Sequence, residues 1–154
     1  MSIIQVLSTR IDSMNGRRIT IQESNELIKI FDKQIPAWFM KILLEFPITE
    51  CDFCISEELD ESELGVLMKS MSPKQIISES TECYPGKAAK NFNYIPFGIC
   101  LEGSGDYYYI KFSRNNASLV RIPHTAVGRN QELIEQDVEI VSSQLSNFFR
   151  LAEL

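Results

Sequence analysis

The sequence predicts an α+β domain, a mostly antiparallel sheet flanked by N-terminal helices and a C-terminal helix. Three observations carry that expectation. Between Tyr94 and His124, three short runs rich in aromatic and β-branched residues are separated by turn-forming residues, as in an antiparallel meander. Before them, apolar residues recur at helical spacing through Phe46; after them, Leu145, Phe148, Phe149 and Ala152 do so again. At 154 residues the chain is long enough to bury one core without disulfide help, and one domain spanning 1–154 is expected.

In chain order, Ile4, Leu7, Ile11 and Met14 predict a first helix that Asn15-Gly16 stops. Thr20 followed by Glu23 has the capping-box pattern, and Leu27, Ile28 and Phe31 form the stripe of a second helix. Pro36 interrupts it and starts a third, through about Phe46, with Phe39, Leu43 and Phe46 aligned and Trp38 and Ile42 widening the apolar face. Cys51 to Ile55 reads as a short strand. Glu57 to Met71 reads as a helix, with acids in its first turns and Lys69 near its end, against which Gly65 counts. Pro73 to Ser80 forms a turn or short helix, Tyr84-Pro85-Gly86 a turn, and Lys87 to Asn93 an exposed connection into the meander.

Within the meander, Tyr108, Ile110 and Phe112 alternate with Tyr107, Tyr109 and Lys111, which predicts one greasy face for helices to cover and tyrosine hydroxyls at the rim. Gly103 and Gly105, around Ser104, and then Asn115-Asn116 supply the positive φ that tight hairpins need. Thr125 to Gln131 is a loop. Asp137 to Val141 is an extended arm or an early helical turn, and Ser142 or Ser143 caps the last helix.

Composition narrows the function classes. With 44% hydrophobic and 23% charged residues this is an ordinary globular chain, and no apolar run is long enough to cross a bilayer. No basic region followed by an apolar segment opens the chain, so a cytoplasmic protein with reduced cysteines is expected. Net charge is −6, and Glu57, Glu58, Asp60, Glu61 and Glu63 carry most of the imbalance; the other 16 acids face 15 bases. Without a basic stripe, direct nucleic-acid binding is disfavoured, because phosphate neutralisation supplies most of that affinity. A concentrated acidic segment suits a basic protein partner instead; a solvated loop or helix start is the plainer reading.

The chemistry-bearing motifs are sparse. Cys51-Asp52-Phe53-Cys54 has the Cys-x-x-Cys spacing of zinc and redox sites, but Cys83, Cys100 and His124 lie too far along the chain to complete a recognisable ligand set. Gly103-Ser104-Gly105 precedes a strand and not a helix, and Pro85-Gly86-Lys87-Ala88 lacks the Ser or Thr of a phosphate loop. His124 is the sole histidine and so the sole imidazole base available, at a strand end where a structural histidine is commonplace. No catalytic residue, metal or cofactor is expected. An enzyme using His124 or the Cys51/Cys54 pair is the reading of least weight.

The helix that opens Ile35-Pro36-Ala37-Trp38-Phe39, the meander Tyr94-Ile95-Pro96-Phe97-Gly98 through Val120-Arg121-Ile122-Pro123-His124, and the tail Ser142-Ser143-Gln144-Leu145-Ser146-Asn147-Phe148-Phe149 together resemble the SMI1/KNR4 (SUKH) superfamily in order and spacing. The resemblance covers roughly residues 20–46 and 94–152; Glu45-Phe46-Pro47-Ile48 stands where Asn-Gly-Gly often follows the proline helix, and 49–86 matches poorly. It implies a single α+β domain that binds protein without catalysis. Many bacterial members look like immunity proteins that neutralise a cognate toxin, often a nuclease or deaminase. In that role the acids Glu57, Glu58, Asp60, Glu61 and Glu63 would face the toxin's basic surface. A regulatory or scaffold module of the same superfamily, with no toxin, is the alternative.

Overall fold

A computed structural model describes residues 2–103, 105–114 and 116–154. Helix α1 (Ile3–Arg10) starts at a reciprocal cap: the Ser2 hydroxyl accepts the Gln5 N–H, and the Gln5 side chain accepts the Ser2 N–H. It buries Val6 and Leu7 while Ile4 stays exposed, so the buried stripe is offset from the expected one. Helix α2 (Ile21–Phe31) carries the expected Thr20–Glu23 capping box and buries Ser24, Leu27 and Phe31, leaving Ile28 outside. Helix α3 (Ala37–Glu45) begins directly after Pro36 and buries Phe39, Met40, Ile42 and Leu43.

Strand β1 (Asp52–Ile55) is where the sequence places it. The expected helix over Glu57 to Met71 is absent: residues 56–65 form a loop, and β2 (Val66–Ser70) follows. Gly65, at φ +78°, takes a left-handed conformation that breaks any helix here. Beyond it Val66, Met68 and Ser70 turn inward and Leu67 and Lys69 outward, the period of a strand. Helix α4 (Pro73–Glu82) is longer than expected and is capped by Ser72, paired reciprocally with Gln75. Lys87 to Asn93 is not an exposed connection, since α5 (Gly86–Lys90) buries Ala88 and Ala89.

The meander is present as β3 (Tyr94–Cys100), β4 (Tyr107–Ser113) and β5 (Asn116–Ile122). Gly103 and Gly105 have φ of +79° and +77°, as a tight connection requires, while Ser104 and Asn115 lie outside the described residues. Asn116 is the first residue of β5 and pairs with Ser113. The stretch before the last helix is extended, as β6 (Glu139–Ser142). Helix α6 (Leu145–Leu151) then starts at Gln144, which offers no side-chain cap; Ser142 belongs to the strand, and its hydroxyl donates to the Gln144 carbonyl.

All six strands join one antiparallel sheet in chain order, β1 to β6, with Ile110 opposite Leu119 at its centre and an irregularity in β3 between Pro96 and Gly98. Gly98 lies so close to the Met68 sulfur that a β-carbon would collide with it. The outer edge of β1 is covered, because Cys54 and Glu153 exchange both backbone hydrogen bonds.

Both faces of the sheet are covered, where the sequence predicted one. On the first, Phe53, Met68, Tyr108, Ile110 and Leu119 meet Leu7, Leu27, Phe31, Ile42 and Phe148 from the helices. On the second, Tyr94, Tyr109, Val120 and Ile122 pack with Ala88, Ala89, Ala126 and Leu133. Tyr109 is wholly buried, and its hydroxyl donates to the buried Glu79 of α4 at 2.9 Å, away from any rim. The small side chains of Ala88 and Ala89 let α5 lie close to the sheet, which positive lysines on either side conceal in the sequence.

Candidate protein-binding surface

The loop 56–65 is shaped by its own polar side chains. Asp60 Oδ1 accepts from the Ser62 N–H at 2.7 Å and from the Ser62 hydroxyl at 2.6 Å, a local turn that draws the chain inward. Asp60 Oδ2 lies 3.5 Å from Arg121 Nη2, and both residues are almost fully buried. Arg121 also donates to the Ser62 hydroxyl, the Gly65 carbonyl and the Tyr108 hydroxyl, at 2.9, 2.9 and 3.3 Å, and faces Glu139 at 3.8 Å. Its guanidinium lies 5.1 Å from the Tyr108 ring centre. Burial pulls the Arg121 pKa down, but the Tyr108 hydroxyl and the charges of Asp60 and Glu139 outweigh it and hold the group above its ordinary value.

A second attachment runs to β6. The Glu61 N–H donates to the Val141 carbonyl at 2.9 Å, and a Glu61 carboxylate oxygen accepts the Ser143 N–H at 2.5 Å. The loop is thus fixed at its middle, at Asp60 and Glu61, and its flanks are presented outward.

Of the five acids singled out in the sequence, Glu57, Glu58, Glu61 and Glu63 are exposed, and Asp60 is not a surface group. Glu61 is already hydrogen-bonded within the chain. Leu59 and Leu64, exposed to 45% and 56%, stand among these carboxylates. Arg121 was not singled out in the sequence, although a signal was there: it shares strand parity with the core residue Leu119, so a lone charge was due to point inward.

The other candidate groups fall elsewhere. His124 opens a short 3-10 turn; its Nδ1 is 2.8 Å from Asp106 Oδ1, which also accepts the His124 backbone N–H at 3.0 Å. Cys51 is buried, which pushes its thiol pKa up, and Cys54 is half-buried on β1. Among the described residues no three His, Cys, Asp or Glu side chains gather as a metal-binding group, and no helix is long and apolar enough to cross a membrane. Glu79 is held in a small polar cluster: the Tyr109 hydroxyl bonds its carboxylate, with Gly86, Cys83 and His124 nearby.

No protein-family model, curated protein or solved structure matches the chain.

Proposed function

We propose that this chain is a non-catalytic protein-binding module related to the SMI1/KNR4 (SUKH) superfamily, and that it acts in the cytoplasm as an immunity protein neutralising a basic, nucleic-acid-directed toxin domain. The observation that carries the reading is the pre-formed acidic loop. Glu57, Glu58 and Glu63 project from a segment whose centre is fixed by Asp60 to Arg121 and by Glu61 to β6. A partner meeting this loop does not have to order it first, so less of the interaction energy is lost on binding. The exposed Leu59 and Leu64 add apolar contact inside a charged rim, the composition of many protein interfaces. The carboxylates supply the attraction that speeds and orients encounter with a basic surface.

The test screens the genes adjacent to this one for a product with a small basic C-terminal domain; a neighbourhood that encodes none counts against immunity. That domain is expressed with and without this chain, and survival is scored. Rescue by the wild type, lost in an E57K/E58K/E63K variant that keeps its unfolding midpoint, supports the proposal. Rescue that survives the triple charge reversal refutes the acidic loop as the contact; absence of rescue by the wild type refutes immunity against that domain.

A further inference from the structure

We propose that the cleft around Trp38 and Arg114 docks an acidic peptide segment of a partner protein, a second interaction surface of opposite sign to the loop. Two adjoining hollows, of about 560 and 510 Å³, share Trp38 and Arg114 as lining residues, so this pair forms the wall between them. Ile3, Asn116 and Gln144 line the first; Lys33, Asn93 and Phe112 line the second. In a chain of net charge −6, the charged side chains lining these hollows are Lys33 and Arg114, with no carboxylate among the described residues there. Neither cation enters any ion pair among the described residues, so both charges are available to an incoming carboxylate.

The aromatic wall is held in place before any partner arrives. Trp38 packs edge-on against Phe39 and Phe112, with ring centres 5.8 and 5.7 Å apart, and remains half-buried with part of its surface in the cleft. Tryptophan and arginine are both enriched among the interface residues that dominate binding, and here a fixed, partly exposed Trp38 stands beside Arg114. The first turns of α1 and α3 also open here, at Ile3 and Trp38, and their dipoles add to the positive potential. Hydroxyl and amide side chains, among them Ser2, Asn93 and Gln144, offer partners for a peptide main chain. The acidic loop approaches the rim at Glu61, which bonds the N–H of Ser143 next to Gln144, so the two surfaces adjoin.

Trp38 is the single tryptophan, so its emission reports directly on this cleft. Short acidic peptides, each matched by a counterpart with Asn and Gln in place of Asp and Glu, are titrated against the full chain while that emission is followed. The expected result is a saturable change with acidic members only, weakened by added salt and about tenfold or more by K33Q/R114Q. Unchanged unfolding midpoints in the variant show that its fold is intact. Equal binding of the neutral counterparts, equal binding to the variant, or no response to any acidic peptide overturns the proposal. So does an Arg114-dependent response to polyuridylate in place of the acidic peptides, which would assign the cleft to single-stranded RNA.

Discussion

Arg121 and Asp60 lie 61 positions apart in the chain, yet Arg121 Nη2 stands 3.5 Å from Asp60 Oδ2 in an almost fully buried pair. This contact ties the loop between β1 and β2 to β5, across the end of the core. Removing Arg121 leaves the Asp60 carboxylate buried without its cation, so Arg121→Ala is expected to cost about 3–5 kcal/mol, and Asp60→Ala, which leaves Arg121 the longer contact to Glu139, somewhat less. Replacing both at once, in D60N/R121M, is expected to cost less than either single change. Urea unfolding of the set measures this, and additive losses would show that the pair does not act as a unit.

Glu79 predicts a pH dependence of definite sign. Burial, only partly offset by the Tyr109 hydroxyl, raises its pKa above the ordinary carboxylate value. The fold therefore favours the neutral acid: that contribution is full below the unfolded pKa and is lost as pH rises through the raised folded one. Glu79→Gln keeps an acceptor for Tyr109 and removes the titration. The variant's stability relative to wild type is expected to rise from pH 4 towards pH 8; a flat difference would contradict the assignment.

Glu23 predicts the opposite slope. The hydrogen bonds from Arg17, 2.8 and 2.9 Å long, hold its carboxyl down at about 2. Its contribution is present above the unfolded carboxylate pKa and is lost as pH falls through about 2. Both side chains are partly exposed, so Glu23→Gln, which preserves the cap on Thr20, is expected to cost only about 0.2–1 kcal/mol at neutral pH. The same unfolding series, extended to acid, should show the loss vanish.

Gly86 offers a steric prediction. A β-carbon there would run into the backbone carbonyl of Glu79, with the carbonyl carbon at 2.6 Å, and backbone cannot move aside as a side-chain tip can. Gly86→Ala is expected to destabilise by about 1–3 kcal/mol, as overpacked interiors do. A thermal unfolding midpoint equal to wild type would mean that α4 and α5 separate more easily than their packing suggests.

The fold was legible where local chemistry settles local structure. Thr20 with Glu23, Pro36 before Trp38 and Phe39, and the alternating strands from Tyr94 onward each read correctly because the deciding interactions lie within a few residues. Leu64, Leu67, Met68 and Met71 misled because their spacing satisfies a helix, while Val66 to Ser70 also satisfies a strand. Pairing with β1 on one side and β3 on the other, over long sequence separation, decides between the two. Ser72 with Gln75, and Pro73 at the first helical position between them, formed a readable start for α4. The acidic loop was visible as charge but not as a structure, because the inward turn of Asp60 depends on Arg121 arriving from β5. The second core was invisible for a similar reason: Ala88 and Ala89 gain meaning only beside Tyr109 and Ile122.

The central claim is that the exposed acids of the loop bind a basic protein. Its most direct test is calorimetric titration of a small basic domain, taken from the product of an adjacent gene, into wild type and E57K/E58K/E63K, at low and at high salt. One-to-one binding that weakens with salt, and that loses about tenfold or more in affinity together with much of its salt dependence in the variant, is the predicted result. Equal affinity and equal salt dependence in the two proteins would contradict it.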